Sequence, residues 1–378
     1  MGEMICDLTG GRAKSAFRYD SSYLNSKCHI CIDPVSLPLN TETFVVSSSL
    51  FGAFEDSLPD DWGKRLLVRR HNIPRHDQNL PSLLLALGSS GLGALLFTDS
   101  DKPHATSTET SIIHLSTLVT AAEQFERGDP QEPGLALLFG AGSSPGGARP
   151  KVVVFDEETG GHYVAKFPSV KDQEDVVGIE SATMNMARLA GLNVPDTCLV
   201  RCERKPVLLV RRFDVTPQNS RNHMISFQTL LKAQGYYQHR YQDLLAVLRK
   251  YSNDPQEDSE RFFRQMVFNA VVGNTDDHLK NFWMIYSHLQ GWRLSPAFDL
   301  IPNVGRNDEH VLFFDTGAYF PGRKRLEKLG RQWGIHNADL VVAQVFEAVA
   351  AWREIFAIGG VSAVDIDKFK EIDANLLS

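Results

Sequence analysis

Apolar and polar positions change period several times along the chain, and the changes predict distinct elements. Phe17-Arg-Tyr-Asp, Tyr23-Leu, the alternation around Val35-Ser-Leu-Pro-Leu and Thr43-Phe-Val-Val predict a small antiparallel sheet. Asp60 to Arg70 predicts a helix, with an acidic N-cap and a basic end that suit the helix dipole, and Leu80 to Leu87 predicts a second, apolar enough to be buried. Gly91-Leu-Gly-Ala-Leu-Leu-Phe predicts a return strand. A Ser/Thr-rich polar stretch from Asp99 to Thr110 follows as a linker, and Ile112, Leu115, Leu118, Val119 and Ala122 recur at helical spacing before Gly128-Asp-Pro ends the run.

A glycine-dense loop, Phe139-Gly-Ala-Gly-Ser-Ser-Pro-Gly-Gly-Ala-Arg-Pro-Lys, then leads into a strand at Val152-Val-Val-Phe. After a turn at Gly160-Gly161, His162-Tyr-Val-Ala-Lys-Phe predicts a second strand with Lys166 inside an apolar run. A helix from about Glu174 to Ala190 comes next, and Leu199-Val and Val207 to Val210 complete the sheet. The remainder reads as mostly helical, with Arg261 to Val272 apolar at helical spacing and Val341, Val345, Val349, Trp352 and Phe356 on one packing face. These elements predict an α+β chain in three parts: residues 1–100 as an N-terminal subdomain, 101–214 as a small lobe with the glycine-rich loop, and 215–378 as a helical C-terminal lobe.

Composition narrows the picture. At 378 residues with 43% hydrophobic and 22% charged positions, the chain has the make-up of an ordinary globular protein of two or three units. Its net charge of −7 does not point to a chain that binds nucleic acid by itself, although local basic patches stay open. No apolar run nears the roughly 18 residues a membrane helix needs, and the N-terminus lacks the basic-then-apolar pattern of an export signal, so a soluble cytoplasmic protein is expected. Five cysteines are too few and too odd for a disulfide framework. Cys28 with Cys31 and Cys198 with Cys202 have half-site spacing for zinc, but both pairs fall in strand-like apolar stretches where cysteine acts as a small core residue.

The densest chemistry lies at Gly273-Asn-Thr-Asp-Asp-His-Leu-Lys-Asn-Phe282, and a further acid, Asp299, follows beyond a predicted hairpin in Ser-Pro-Ala-Phe-Asp-Leu. An Asp, an Asn a few residues on and an Asp beyond a hairpin is the order in which kinase-like folds present a base and two metal ligands. Asp276 is therefore the expected catalytic base, Asn281 and Asp299 the expected Mg²⁺ ligands, and His278 and Lys280 the residues that orient the loop or touch phosphate, with Asp277 structural. Gly146, Gly147 and Ala148 would let backbone N–H groups approach phosphate, with charge from Arg149 and Lys151. Lys166 is expected on the α/β-phosphates, braced by Glu180 or by Glu174. Arg211-Arg212-Phe213-Asp214 is either an adenine-binding hinge or a solvated charge run.

Together these motifs resemble the HipA family of bacterial serine/threonine kinase toxins over nearly the whole chain. The resemblance rests on Phe54-Glu-Asp-Ser-Leu-Pro-Asp-Asp-Trp-Gly, Leu92-Gly-Ala-Leu, Ser143-Ser-Pro-Gly-Gly-Ala-Arg-Pro-Lys, Gly273 to Phe282 and Ser295 to Asp299. It implies a bilobal protein-kinase-like fold and ATP bound by Gly146 to Lys151 (Pro150 included), Lys166, Arg211 to Phe213, His278, Lys280, Asn281, Phe298 and Asp299. It also implies autophosphorylation at Ser144, with Ser143 as a second site. Arg211 departs from the family pattern, where an acidic residue is common. The implied partners are a helix-turn-helix antitoxin, operator DNA reached mainly through that antitoxin, and a translation component such as an aminoacyl-tRNA synthetase. Two alternatives remain at this level: a catalytically silent antitoxin-binding corepressor, and a small-molecule phosphotransferase.

Overall fold

The computed structural model describes residues 1–8, 14–47, 50–99, 110–141, 149–235, 238–303, 307–315 and 317–378. Gly146, Gly147, Ala148, Ser143 and Ser144 lie outside them.

Among the described residues, three antiparallel sheets carry the fold. The first joins β1 (Gly2–Asp7), β2 (Lys14–Tyr19) and β3 (Phe44–Val46) in that order. Its first strand escaped the sequence reading, and two predicted members are not strands: Tyr23 and Leu24 lie in a helical turn closed by the Asp20 side chain, and Val35 to Leu39 form a loop around an isolated bridge between Asp33 and Leu37. Tyr19 explains that loop, because its hydroxyl donates to the Leu37 carbonyl at 2.6 Å and so fastens it to the sheet. Gly91 to Phe97 is likewise irregular rather than a return strand. Gly93 adopts φ +69° there and donates its N–H to Asp214, a local need that outweighs the β-favouring side chains around it.

The second sheet runs in the order β4 (Lys151–Asp156), β5 (Gly161–Lys166), β7 (Lys205–Arg211) and β6 (Thr197–Cys202). The Val176–Leu189 helix packs beside it; its N-cap Asp175 accepts from Gly178 N–H. A helix at Glu132–Gly140, unread from the sequence, precedes the glycine-rich loop, and the Ile112–Phe125 run resolves into a short 3₁₀ turn followed by the Leu115–Arg127 helix. The third sheet places β9 (Trp283–Ser287) between β10 (Gly291–Leu294) and β8 (His223–Ser226). Of these, β8 had no sequence signal, because four buried residues leave no alternation to read.

The helical part is built on Pro255–Val272, whose Phe262, Phe263, Met266, Val267, Ala270 and Val271 are fully buried. The apolar face predicted from Val341 to Phe356 is buried as expected, but it is shared by two helices, Ala338–Ala350 and Trp352–Ile358, that break at Ala351. Residues before 100 enter both cores. Phe17, Phe51, Phe54 and Leu67 join the cluster around Phe262, whereas Trp62 and Leu66 join the one beneath β4, β5 and β7. Cys28 and Cys31 sit in a turn and a loop rather than in strands, and Cys198 is exposed on β6. Among the described residues no helix is long and apolar enough to cross a membrane.

Candidate active site

The β4–β5 register sets the electrostatics of the site, because it places Lys151 directly opposite Lys166. Two ammonium groups paired across strands repel one another unless carboxylates intervene. Two do: Lys166 donates to Glu180 Oε1 and, at 2.7 Å, to Asp299 Oδ1. Glu174 is not the brace; it faces Lys368 at 3.3 Å. Burial alone would lower the Lys166 pKa, but Asp299 and Glu180 override it and the net shift is upward. The Lys166 ammonium holds the Asp299 carboxyl well below the usual carboxylate range, against burial and with help from Lys151. Burial lowers the pKa of Lys151, which is 6% exposed and lies in the field of Asp299 and Lys166.

The central stretch begins where the Pro255–Val272 helix stops at Gly273, whose φ of +70° is the left-handed conformation that ends helices. Four groups then converge on the fully buried Asp277. Tyr241 Oη donates to Oδ2, His310 Nδ1 lies 2.8 Å from the same oxygen, and the amides of Val311 and Leu312 donate to Oδ1 at 2.8 and 3.3 Å. Asp277 thus anchors the segment, and Asp276 before it is left exposed at the cavity. Burial of the surrounding pocket, together with Asp299 and Asp277, raises the Asp276 pKa, with His278 opposing the shift. Asn281 donates through Nδ2 to the Asp276 carbonyl at 2.7 Å, which fixes its amide plane and turns Oδ1 away from that bond. Asp299 adopts φ +57°, a conformation that costs a non-glycine residue energy and is concentrated at functional sites.

A cavity of about 500 Å³, the size of small-molecule sites, runs between the lobes. It collects Lys151, Lys166, Glu180, Asp276, His278, Lys280, Asn281, Phe298 and Asp299 on one contiguous surface. Arg211, Arg212, Phe213 and Asp214 line it as well. The last stretch is no solvated charge run: Arg212 and Asp214 form a buried pair at 2.6 Å, and Arg212 also donates to Gly91 O. Its guanidinium is therefore committed to structure, while the Phe213 ring lies 5.9 Å from that of Phe298. The Arg211 and Arg212 amides are likewise engaged, by the Asp196 and His162 carbonyls. Arg149 borders the cavity but pairs with Asp172, and the Pro150 carbonyl accepts from Phe167 N–H.

The sequence reading missed the contribution of the N-terminal segment. Asp56, Leu58, Asp60, Asp61 and Leu92 form part of the cavity wall. Asp60 makes no side-chain cap to its helix; its carboxylate lies 3.3 Å from Lys280 Nζ. Asp56 instead accepts from Ser226 N–H and Oγ at 2.8 and 2.7 Å, and burial pushes its carboxyl up to about 6. Neither contact had a local signal, since the partners are 220 and 170 residues apart.

Comparison with known proteins identifies the family and the fold. The HipA N-terminal domain matches residues 2–98, and the HipA-like C-terminal domain matches residues 143–352. The candidate kinases Y4dM and Y4mE of Sinorhizobium fredii are 31% and 28% identical over 223 and 155 residues. Those alignments cover 53% and 38% of this chain and 53% and 35% of the relatives, so the chain spans about half or less of their length. The HipA chain in a Shewanella oneidensis MR-1 complex of the toxin–antitoxin system HipA, HipB and operator DNA shares the fold, with a TM-score of 0.72 at 17% identity, covering 100% of this chain and 93% of that one. With both of its domains matched and an α+β kinase-like fold, the chain belongs to the HipA family.

Proposed function

We propose that this protein is an ATP-dependent serine/threonine protein kinase that serves as the toxin of a HipA-like toxin–antitoxin system. The observation that carries the reading is the three-way contact of Lys166 with Glu180 and Asp299, beside Lys151, at one end of a cavity that Asp276 borders. Two buried ammonium groups, one of them held by two carboxylates, are suited to polyphosphate, because incoming negative charge meets ammonium groups already in place. Lys151 and Lys166 hold the phosphates, Glu180 braces Lys166, and the adenine ring lies along Phe213 and Phe298. Backbone recognition of the purine falls to the carbonyls of Arg211–Phe213 and the Phe213 amide, because the amides of Arg211 and Arg212 are engaged. Gly146 to Ala148 complete the phosphate loop.

Asp276 accepts the proton of a serine or threonine hydroxyl as its oxygen bonds to the γ-phosphorus and the β–γ bridging oxygen leaves with ADP. The raised pKa of Asp276 makes it a better base than an ordinary exposed carboxylate. Asn281 and Asp299 offer an amide oxygen and an ionised carboxylate, hard donors that fit Mg²⁺. When bound there, Mg²⁺ supplies charge neutralisation for the transferring phosphoryl group. In this reading residues 1–100 close the cleft, 101–214 hold the nucleotide and 215–378 carry the catalytic groups, in a bacterial cytoplasm.

The proposal includes phosphorylation of Ser144 or Ser143 in the loop, a translation component such as an aminoacyl-tRNA synthetase as target, and a helix-turn-helix antitoxin as partner. The Shewanella complex, which holds HipA with HipB and operator DNA, supports the last of these. Incubation of the protein with MgATP, followed by mass spectrometry of the protein and of a cell extract, tests the reading. Phosphate on Ser143 or Ser144 and extract proteins labelled by wild type but not by Asp276→Asn are expected. Labelling that is absent, or confined to small molecules, overturns it.

A further inference from the structure

The apolar run that ends the Pro255–Val272 helix, Phe268-Asn-Ala-Val-Val, is interrupted once, by Asn269, which is 1% exposed. A buried amide in a helix interior has to find partners, and an apolar residue of similar size would need none. The ordinary account is that Asn269 serves the helix end. That account covers the backbone: Gly273 takes the left-handed turn, its N–H donates to Ala270 O, and Asn274 N–H donates to Asn269 O at 2.9 Å. In helix ends of this form, the two residues joined by the last of these bonds usually add an apolar side-chain contact. Here they carry amides instead, and Asn274 Nδ2 donates to Asn269 Oδ1 at 3.1 Å. Ending the helix requires neither amide.

The two amides belong to a longer chain of hydrogen bonds. Because Asn269 Oδ1 accepts from Asn274, its Nδ2 is the group that meets the Tyr241 hydroxyl, and that hydroxyl donates in turn to Asp277 Oδ2. Every bond runs the same way, from Asn274 through Asn269 and Tyr241 to the carboxylate. In such an order each bond polarises the next, and the charge at the end strengthens the series. All four residues are buried. The chain starts and ends on one short segment, at residues 274 and 277, and so fastens both ends of it to the helix and to Tyr241. Thr275, between them, is held independently: its carbonyl accepts from Val311 N–H at 3.2 Å and its hydroxyl from Asn303 Nδ2 at 2.8 Å. Of residues 274–277, Asp276 alone lines the cavity.

We propose that Asn269 is a positioning residue for phosphoryl transfer. Through Asn274 on one side, and through Tyr241 and Asp277 on the other, it fixes the turn that carries Asp276 and so sets where the proposed base stands against the acceptor hydroxyl. The inference takes its reaction from the kinase reading, while the hydrogen-bond chain stands without it. A base displaced by about 1 Å costs a transfer reaction on the order of 10²-fold in rate, because proton and acceptor oxygen must be aligned together. The lysines assigned to ATP, Lys151 and Lys166, stand on β4 and β5 in the other lobe. Loosening the turn therefore falls on kcat and spares nucleotide binding.

The test combines phosphoryl transfer from MgATP to a serine/threonine peptide library with amide hydrogen exchange, both on the full-length chain, for wild type, Asn269→Leu and Asn274→Ala. Each variant lowers kcat about 10–100-fold and leaves KM for ATP within about twofold of wild type. Each also speeds exchange of the amides of residues 274–277 and leaves β4 and β5 unchanged. Asn274→Ala breaks the chain without altering the helix, and carries the test if Asn269→Leu does not fold. Tyr241→Phe added to Asn269→Leu lowers kcat little beyond the worse single variant, because both break one chain. Unchanged kcat in folded variants, a rise in KM for ATP that accounts for the loss in kcat/KM, or additive losses in the double variant overturn the proposal. If wild type transfers nothing to the library, the failure lies with the kinase reading, and exchange decides the turn by itself: faster exchange at residues 274–277 upholds the positioning role, and unchanged exchange overturns it.

Discussion

Lys280 Nζ lies 3.3 Å from Oδ1 of Asp60, so a residue of the proposed catalytic segment is tied to one that precedes it by 220 positions. The pair is partly exposed, with side chains 36% and 27% accessible, and such pairs contribute about 0–1 kcal/mol to stability. Asp60→Ala is expected to shift the urea midpoint little. It should lower kcat/KM for phosphoryl transfer by up to about fivefold, because Lys280 loses its orientation. A large stability loss with unchanged kinetics would reverse that assignment.

Asp276→Asn should reduce kcat by about 10²–10⁴ while leaving the unfolding curve in place, since the side chain is exposed and its neighbour Asp277 bears the anchoring bonds. A base acts only when deprotonated. Because partial desolvation at the cavity wall, together with Asp299 and Asp277, raises the Asp276 pKa, the wild-type rate should fall, as pH drops, at a pH above the range of an ordinary Asp. A pH–rate profile on the wild type checks the direction.

Glu180→Ala and Glu174→Ala form a discriminating pair. The first leaves Lys166 held by Asp299 alone in a buried setting, and should raise KM for ATP and lower stability by about 1–3 kcal/mol. The second removes only the contact with Lys368, a half-exposed lysine, and should cost no more than about 1 kcal/mol with normal kinetics.

Asp56 predicts a pH dependence of stability. Its folded pKa, about 6, exceeds the ordinary value of 3.8, so between these limits the folded state binds the proton more tightly. This group therefore favours folding below about 4, and that contribution is lost as pH rises through 6. In Asp56→Asn the contribution should vanish, leaving urea midpoints at pH 5 and pH 7 closer together than in wild type.

Tyr241→Phe removes one of four donors from the buried Asp277 carboxylate. A hydrogen bond to a charged group contributes about 1.5–3 kcal/mol, and a loss of that order is expected in denaturant unfolding. A fall in kcat without a matching rise in KM for ATP should accompany it, because the displaced segment is the one that carries Asp276.

What the sequence by itself determined is whatever depends on near neighbours. The helical period of Phe262 to Val271, the β4 and β5 hairpin around Gly160-Gly161 and the grouping of Asp276, His278 and Asn281 within six residues were all legible, because spacing along the chain sets their geometry. The strand at His223–Ser226 was illegible because its four residues are all buried, and Gly2–Asp7 because Met4, Ile5 and Cys6 form an unbroken apolar run although Ile5 faces outward. Only the tertiary structure decided that Glu180 rather than Glu174 meets Lys166, that Arg212 and Asp214 are buried together, and that Tyr241 and His310 hold Asp277. It also decided that Asp56 and Asp60 reach the cavity. Such contacts join residues far apart in the chain, and their geometry is set by how sheets and helices pack rather than by any local preference.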